Sequence, residues 1–309
     1  MKHFLNHLFL ALIPIIAINL IAAGTLIYLA SHEDLTYVNY ASALDKEQRL
    51  QDLGDQPKLV IIGGSNTRFS FNSKMLQDSL GMATVNMGIH IGLGLDFMFN
   101  QVEKYLKQGD ILLVSAEYQH YIDESTYYGD EGLTDMYLVK KEWRKAFRHI
   151  IDTHNFLSVY RLIRERIKRN GMKVENISER MEIRTKYNEY GDYTGHYNLP
   201  PRDWTNKYFS MDIRTQIPNV IKKRIERIEQ KGIRVIILPP PYCRSSFKLN
   251  SVTIDLLTHK LSALGIGFTC PPNKMCYSDS IFYDSPYHLL EKGTILHTKN
   301  VIKQIKTAL

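Results

Sequence analysis

The stretch Lys58-Leu-Val-Ile-Ile-Gly-Gly-Ser65 decides the fold, because four consecutive apolar residues run directly into two glycines. A short apolar run bounded by turn residues predicts a buried strand, and the glycine pair predicts a tight turn after it. Four later stretches repeat this pattern less strongly, at residues 83–88, 111–117, 234–238 and 267–270. We therefore predict five strands, with Ser65 at the carboxyl end of the first.

Helical patterns lie between these predicted strands or after the last one, at residues 95–106, 219–231 and 287–309. Strands that alternate with helices and are apolar along their whole length are typical of a parallel sheet covered on both faces. The sequence thus predicts an α/β fold. In such folds the ligand site lies beyond the carboxyl ends of the strands, so the loops at that edge are expected to carry the chemistry.

The N-terminal residues 4–30 form a stretch of 27 residues without a charged side chain. About 20 apolar residues cross the hydrocarbon core of a bilayer as a helix, so this stretch predicts a transmembrane signal anchor. The next segment, 31–57, carries six acidic residues against Lys46 and Arg49, which favours a cytoplasmic N-terminus and a body outside. A cleaved signal peptide is the alternative, although its apolar region is typically only about 7–15 residues long.

The remaining chain is predicted to divide into a juxtamembrane stem, 31–57, with a helix at 41–53, and one α/β domain, 58–309. Within this domain, residues 118–216 are basic, rich in aromatic residues and too long for a simple loop, which predicts a helical insertion or lid. Its Lys/Arg runs are interpreted either as solvated helix faces or as a surface for an anionic glycan or lipid headgroups.

The composition of the 309 residues, 44% hydrophobic and 23% charged, excludes a disordered or fibrous chain. A formal charge of +7 does not by itself indicate nucleic-acid binding, and no recognised binding motif accompanies it, so no nucleic-acid partner is predicted. His, Cys and Asp do not cluster at metal-ligand spacing, and neither a metal nor a cofactor is predicted. Cys270 and Cys276 either form a disulfide outside the cytoplasm or remain buried thiols like Cys243.

Two short segments carry residues suited to nucleophilic catalysis. Ser65 follows a strand in a glycine turn, where a serine is exposed at the sheet edge and can act as a nucleophile. Asp284 and His288 lie on a proline-containing turn before the last helix, where the imidazole can accept the serine proton and the carboxylate can orient the imidazole. The alternatives are a purely structural glycine turn and an Asp284 that only caps a helix.

In this order along the chain, the two segments resemble the SGNH (GDSL-like) hydrolase family, and in particular its membrane-anchored bacterial branch that acts in the cell envelope. The resemblance rests on Gly63-Gly64-Ser65-Asn66, on Asn86-Met87-Gly88, and on Asp284 with the His288–Gly293 continuation. It covers about residues 58–309 apart from the insertion. It implies a flavodoxin-like three-layer sandwich with a parallel sheet.

The resemblance also implies roles for individual residues. Ser65 is expected to be the nucleophile, His288 the base and Asp284 its orienting partner, with the backbone N–H groups of Ser65 and Gly88 in the oxyanion hole. The residues expected to line the pocket lie near strand ends, and they are Asn66, Arg68, Asn86, His90, Glu117, Tyr118 and Gln119. His297, further along the last helix, is predicted to lie on the helix surface.

By the same resemblance, the protein is expected to be a serine acyltransferase or esterase acting on O-acyl groups of a cell-envelope polysaccharide. It would sit in the bacterial inner (cytoplasmic) membrane with its catalytic domain in the periplasm, and a membrane acyl-donor protein would be its partner. The alternative is a non-catalytic protein that binds a polysaccharide or an acyltransferase partner.

Two departures from the family pattern favour that alternative. Three residues separate Asp284 from His288, where the family usually has two, and Glu117-Tyr118-Gln119 stands where the family has an asparagine. Tyr118 or Gln119 is expected to replace the missing donor, or the oxyanion hole is incomplete. Glu117 itself is interpreted either as a pocket residue or as a buried, hydrogen-bonded structural carboxylate.

Overall fold

A computed structural model describes residues 2–171, 183–212 and 214–309 of the chain. Its centre is a parallel sheet of four strands, β1 Lys58–Ile62, β2 Ala83–Asn86, β3 Ile111–Val114 and β4 Arg234–Ile237, in the order β2-β1-β3-β4. The predicted α/β class with a parallel sheet is confirmed. Since β1 lies in the middle of the sheet, the turn that follows it opens at the centre of the carboxyl edge.

Helices surround this sheet and fill most of the remaining chain. They are α1 Lys2–Ser31, α2 Ser42–Leu53, α3 Ser65–Ser70, α4 Ser73–Leu80, α5 Leu95–Glu103, α6 Glu124–Tyr128, α7 Glu131–Val139, α8 Trp143–Asp152, α9 Leu157–Gly171, α10 Ile217–Glu229, α11 Arg244–Ala263 and α12 Glu291–Ala308.

Alternate residues of β1 pack into two separate apolar cores. Val60 and Ile62 pack with residues of α2, α5, α10 and α11, whereas Leu59 and Ile61 pack with residues of α4 and α12. This division follows from the period of two along a strand, which directs successive side chains to opposite faces. A strand buried on both faces has to be apolar throughout, as the sequence of β1 is.

The fifth predicted strand, residues 267–270, is wrong. Thr269 donates one hydrogen bond to the Ile237 carbonyl at 2.8 Å, but the segment does not continue as a strand. Pro271 and Pro272 follow directly, and proline has no N–H with which to extend a ladder. A separate pair of two-residue strands, β5 Tyr242–Cys243 and β6 Cys276–Tyr277, runs parallel nearby.

The last helix begins at Glu291, later than the predicted start at residue 287. The segment before it folds back on itself, because Phe282 and Leu289 form an antiparallel bridge and the Tyr283 N–H donates to the His288 carbonyl at 2.8 Å. His297 is buried on α12, so its predicted surface position is wrong. The face of α12 that carries His297 packs on Phe71 and Tyr277.

The N-terminal helix α1 contains a stretch, Leu12–Ser31, that is long and apolar enough to span a membrane, with a mean hydropathy of 2.2. This property fits the predicted single-pass anchor, and a signal sequence would share it. The part of α1 nearest its C-terminus is not free: Ala22, Leu26 and Ala30 are buried in one apolar cluster with residues of α7, α8 and α9, and α9 is the helix that packs most closely on α1.

The second half of the predicted stem packs on the α/β body. Leu50 of α2 lies in the larger core, and the Lys46 ammonium donates to the Gly88 carbonyl. The predicted insertion, 118–216, contains α6 to α9, and its residues 172–182 and 213 lie outside the described residues. Cys243, Cys270 and Cys276 are free thiols; Cys243 and Cys270 are buried, as the second of the two sequence interpretations has it, whereas Cys276 is only half-buried.

Candidate active site

Ser65 is the first residue of α3 and follows β1 by two glycines. The first residue of a helix has no intrahelical acceptor for its N–H, so this group is available at the helix start. Position 64 requires glycine because the turn passes close to the Glu117 side chain: a Cβ on this residue would lie 2.4 Å from Glu117 Oε2. The turn therefore presents both the Ser65 hydroxyl and its backbone N–H at the sheet edge.

Asp284 and His288 meet Ser65 in a linear relay. His288 Nε2 lies 2.8 Å from Ser65 Oγ, and His288 Nδ1 lies 2.7 Å from Asp284 Oδ1. Both distances are those of good hydrogen bonds. When the carboxylate accepts a hydrogen bond from the Nδ1–H group, Nε2 carries no proton and can accept the hydrogen bond from the serine O–H. The structure thus brings together all three residues that the sequence singled out for catalysis.

The turn between Asp284 and His288 accommodates their wider spacing. The His288 N–H donates to the Ser285 carbonyl at 3.3 Å, which folds Pro286 and Tyr287 back and returns the imidazole to the carboxylate. Burial would raise the pKa of the Asp284 carboxyl, but the hydrogen bond from His288, together with the favourable electrostatic interaction with His288 and Arg202, outweighs it and lowers this pKa below its ordinary value. Asp284 is therefore an ionised acceptor near neutral pH.

A phenylalanine that the sequence analysis missed holds the imidazole ring. Phe69 of α3 stacks on His288, with ring centroids 4.1 Å apart and planes 14° apart. Phe69 lies four residues after Ser65, and residues at this spacing share one face of a helix. This spacing is the signal that could have identified Phe69 as a neighbour of the nucleophile.

Glu117 lies beneath the nucleophile turn. Its carboxylate accepts hydrogen bonds from the Gly64 N–H at 3.0 Å and the Asn66 N–H at 3.1 Å, and Oε1 lies 3.4 Å from Ser65 Oγ. His120 Nδ1 is 3.2 Å from Oε2. Burial alone would raise the pKa of Glu117, but the bonds from His120 and Asn66 lower it to about 2. These contacts make Glu117 an anionic anchor for the turn.

Asn86 joins the nucleophile turn to the glycine that was predicted to complete the oxyanion hole. The Asn86 amide donates to the Thr67 carbonyl at 2.9 Å, and its Oδ1 accepts the Gly88 N–H at 3.0 Å. Gly88 itself is needed here, because a Cβ would lie 1.6 Å from Thr67 Oγ1. The Gly88 N–H is therefore already hydrogen-bonded to a side chain of the protein, whereas the Ser65 N–H, at a helix start, has no intrahelical acceptor.

Three other predicted pocket residues are hydrogen-bonded to groups other than Ser65. The Arg68 guanidinium donates to Asn39 Oδ1 and to the Tyr187 hydroxyl, each at 2.7 Å. The Asn66 amide donates to the Ser115 carbonyl at 2.6 Å. His90 Nδ1 accepts the N–H of Gly92, and His90 lines a separate cavity of about 390 Å³. Their contacts are therefore those of structural side chains.

A cavity of about 410 Å³ opens beside Asp284. Its lining combines aromatic, basic and amide side chains from four separate segments, namely Gln119, Trp204, Thr205, Lys207, Tyr242, Asp284, Ser285, Pro286 and Tyr287. Of the two residues expected to replace the family's asparagine, Gln119 lines this cavity and accepts from the Tyr287 hydroxyl at 2.9 Å. Tyr118 instead lies fully buried among Phe209, Tyr242 and Phe268.

Trp204 and Lys207 carried no local signal in the sequence, because only the path of the insertion brings them to the cavity. Over the described residues, no group of three or more His, Cys, Asp or Glu side chains is arranged to hold a metal ion. The chain matches no known family model, no curated protein and no solved structure. The geometry around Ser65 is thus the basis on which function has to be inferred.

Proposed function

We propose that this protein is a membrane-anchored serine esterase or O-acyltransferase that acts on O-acyl groups of a cell-envelope polysaccharide. The observation that carries the proposal is the relay of Ser65 Oγ, His288 and Asp284, with separations of 2.8 and 2.7 Å. A nucleophile, a base and a carboxylate that orients the base are the groups that acyl transfer through a serine requires.

The first half of the reaction forms an acyl-enzyme. Ser65 Oγ attacks the carbonyl carbon of the ester while its proton passes to His288 Nε2, and a tetrahedral intermediate forms. The bond from carbon to the leaving oxygen then breaks, and the imidazolium returns the proton to that oxygen. Asp284 remains ionised throughout and stabilises the imidazolium.

The second half of the reaction decides between the two activities. A water molecule or a sugar hydroxyl gives its proton to His288 Nε2 and attacks the acyl carbon. The bond to Ser65 Oγ breaks, and the serine recovers a proton from the imidazolium. Attack by water yields a free acid, as in an esterase, whereas attack by a sugar hydroxyl yields a new ester, as in a transferase.

The oxyanion of each tetrahedral intermediate needs N–H donors. The Ser65 N–H, at the start of α3, is the first of them. The second is the Gly88 N–H, which the substrate oxygen has to take over from Asn86 Oδ1.

Membership of the SGNH hydrolase family, with its flavodoxin-like sandwich, is part of the same proposal. Three observations support it: the serine turn follows the central strand, helices pack on both sheet faces, and the Asp/His pair precedes the last helix. A polysaccharide is supported by the open cavity, because Trp204 and Tyr242 offer aromatic surface beside polar groups such as Lys207. The apolar helix α1 supports the anchor, whereas the location in the bacterial inner membrane, facing the periplasm, is part of the proposal that rests on the family resemblance and on the charge bias around α1.

The test is covalent labelling of the full-length protein by a fluorophosphonate, together with turnover of a soluble acetyl ester. We expect labelling at Ser65 and loss of both signals in Ser65→Ala. Ser280→Ala, at an exposed serine on the segment before the relay, is the matched control and should keep both. An unlabelled Ser65, or a Ser65→Ala variant with unchanged ester turnover, would exclude the catalytic proposal.

A non-catalytic polysaccharide-binding protein is the second proposal, and a specific observation favours it. The Gly88 N–H is bonded to Asn86 Oδ1, which leaves the oxyanion site short of one donor until that bond opens. This alternative predicts that Ser65 resists the fluorophosphonate while Trp204→Ala weakens binding of an acylated polysaccharide. Labelling of Ser65 that depends on His288 would contradict it.

A further inference from the structure

We call α8, α9 and the turn between them, residues 143–171, the hairpin; α8 packs on α7 and α9 on α1, and the tip where the two helices meet is unusually apolar for a surface. The tip comprises the end of α8, the connecting turn and the start of α9. Three large apolar side chains are exposed there: Ile151 at 58%, Phe156 at 51% and Leu157 at 78%. A contiguous exposed apolar patch on a folded protein marks a surface that another apolar phase covers.

The hairpin lies directly against α1. Val159 and Leu162 of α9 pack on Ala22 and Leu26 of α1, so the two helices share one apolar contact. Asn19, about one turn before Ala22 along α1, accepts a hydrogen bond at Oδ1 from the Tyr160 hydroxyl of α9 at 3.3 Å. These contacts fix the hairpin tip at the level of Asn19 along α1.

The level of Asn19 places the tip within reach of the bilayer. Asn19 precedes Ser31, the end of the candidate span, by twelve residues. At a rise of 1.5 Å per residue, Asn19 lies about 18 Å below that end, but Ala22, Leu26 and Ala30 between them are buried against protein. The part of α1 that lipid can surround therefore ends near Asn19, and if α1 crosses the membrane, the apolar tip lies at the surface of the bilayer.

Positive charge lies on the hairpin alongside the apolar tip. Its exposed cations are Arg144, Lys145, Arg148, Arg161, Arg164 and Lys168. Asp152 and Glu165 are the acidic residues between Trp143 and Gly171. Apolar residues beside a basic face are the pattern of an element that lies in a membrane interface and contacts anionic headgroups.

The hairpin is also tied to the body through buried ion pairs. Arg166 of α9 is paired with Asp135 of α7, and Arg169 is paired with Glu33, just after α1, at 2.7 Å. Arg166 is fully buried. A contact between the tip and the membrane would therefore orient the α7 side of the body as well.

We propose that the α8–α9 hairpin is a second membrane contact, with Ile151, Phe156 and Leu157 among the lipid acyl chains beside α1 and the hairpin cations among anionic headgroups. The proposal rests on the anchor assigned under the proposed function, but not on the catalytic part. Two contacts from separate parts of the chain hold the body at a fixed tilt, whereas α1 alone would leave it free to rotate about one helix.

Tryptophan fluorescence provides a test, since Trp143 and Trp204 are the two tryptophans of the chain and can both be replaced by phenylalanine. In that background, Leu157→Trp places a single fluorescent reporter at the tip. Leu296→Trp, at an exposed leucine of α12, is the matched control. The full chain is reconstituted in vesicles of zwitterionic and anionic phospholipid, with and without bromine on the acyl chains. Flotation of the vesicles checks that α1 holds the protein in the bilayer.

We expect brominated lipid to quench Leu157→Trp by roughly twofold or more and to leave Leu296→Trp unchanged. Aqueous iodide should do the reverse. Replacing Arg144 and Arg148 with glutamate should reduce quenching in the anionic vesicles. The midpoint of thermal unfolding of each variant reports folding without any reaction at Ser65, so a failed catalytic proposal does not affect the result.

Three outcomes would overturn the proposal. Iodide access to Leu157→Trp without quenching by lipid would place the tip in water. Protection from both quenchers would instead indicate a protein partner on the tip. Release of the full chain from the vesicles during flotation would remove the anchor on which the proposal rests.

Discussion

Two carboxylate–imidazole pairs flank Ser65, and they face it in opposite order. In the pair from the loop before α12, His288 points at the serine, with 2.8 Å between Nε2 and Oγ, and Asp284 lies behind it. In the pair after β3, Glu117 points at the serine, with 3.4 Å between Oε1 and Oγ, and His120 lies behind it. The first pair is partly exposed, whereas the second is buried.

Because of this difference in order, the first pair can take up the serine proton, whereas the second pair supports the turn that carries the serine. A serine hydroxyl has one proton to donate, and the shorter contact to His288 is the better hydrogen bond. An imidazole exchanges a proton near neutral pH. Glu117, with a pKa of about 2, stays ionised and engages two backbone N–H groups of the turn. The imidazole of the first pair therefore acts as the base, whereas the carboxylate of the second pair holds the turn in place.

Removing the imidazole of the first pair should have the largest effect. His288→Gln is expected to lower kcat for ester turnover on the order of 10⁵-fold, because Ser65 loses its base. The midpoint of thermal unfolding should barely change, since His288 is partly exposed. His120→Gln is the comparison: it should lower the midpoint of thermal unfolding clearly but kcat only slightly. Equal losses of turnover in the two variants would show that the pairs do not divide the work.

The carboxylate behind His288 should have the next largest effect. Asp284→Asn is expected to lower kcat by roughly 10³-fold, because the amide no longer holds the imidazole in the tautomer that accepts the serine proton. Fluorophosphonate labelling of Ser65 should slow in parallel. Asp203→Asn, at an exposed aspartate, is the control. If Asp284→Asn kept normal turnover, Asp284 would be only a structural residue of the turn.

The carboxylate of the second pair should matter more for stability than for chemistry. Glu117→Gln is expected to cost about 3 kcal/mol of unfolding free energy, since the charge-assisted bonds to the Gly64 and Asn66 N–H groups are lost in a buried site. Chemical denaturation measures this value, with the exposed Glu124→Gln as control. A fully stable Glu117→Gln protein without turnover would assign Glu117 a direct part in the reaction.

The effect of Glu117 should also depend on pH in a defined direction. Its folded pKa of about 2 lies below the ordinary 4.5, so the ionised form stabilises the fold fully above pH 4.5. That stabilisation is lost progressively as the pH falls from 4.5 towards 2. The difference in unfolding free energy between wild type and Glu117→Gln should shrink over this window. A difference that stayed constant with pH would mean that the carboxylate is not ionised in the folded protein.

The sequence predicts Ser65 and its pair Asp284 and His288 better than it predicts the pair Glu117 and His120. The strand before Ser65 is a local apolar run, so its burial on both faces and the serine after it follow from a few consecutive residues. Asp284 and His288 lie more than 200 residues away, and only the resemblance to a family linked them to Ser65. The role of Glu117 depends on β1 and β3 being neighbours in the sheet, which no local pattern records.

The failures of the sequence analysis have the same origin. Residues 267–270 have the composition of a strand, but the prolines after them prevent pairing beyond one hydrogen bond. His297 lies on a helix whose buried face depends on contacts with Phe71 and Tyr277, distant in sequence. The engagement of the Gly88 N–H by Asn86 Oδ1 is a matter of side-chain conformation. In each case a specific feature, whether a missing donor, a contact with a distant segment or a single hydrogen bond, overrides what the composition of the segment favours.

The smallest expected effect concerns the stacking that only the first pair has on Phe69. Phe69→Leu keeps an apolar side chain of similar volume but removes the flat surface on which the His288 ring rests, 4.1 Å away. Aromatic pairs of this kind contribute about 0.5–1.5 kcal/mol, so kcat should fall roughly threefold to tenfold. Because the imidazole is less well oriented rather than absent, KM for the ester should stay nearly constant. Phe71→Leu, which faces the second core and not the relay, should reduce stability without this change in kcat. A drop in kcat common to both variants would mean that packing in general, and not the stack on His288, sets the position of the base.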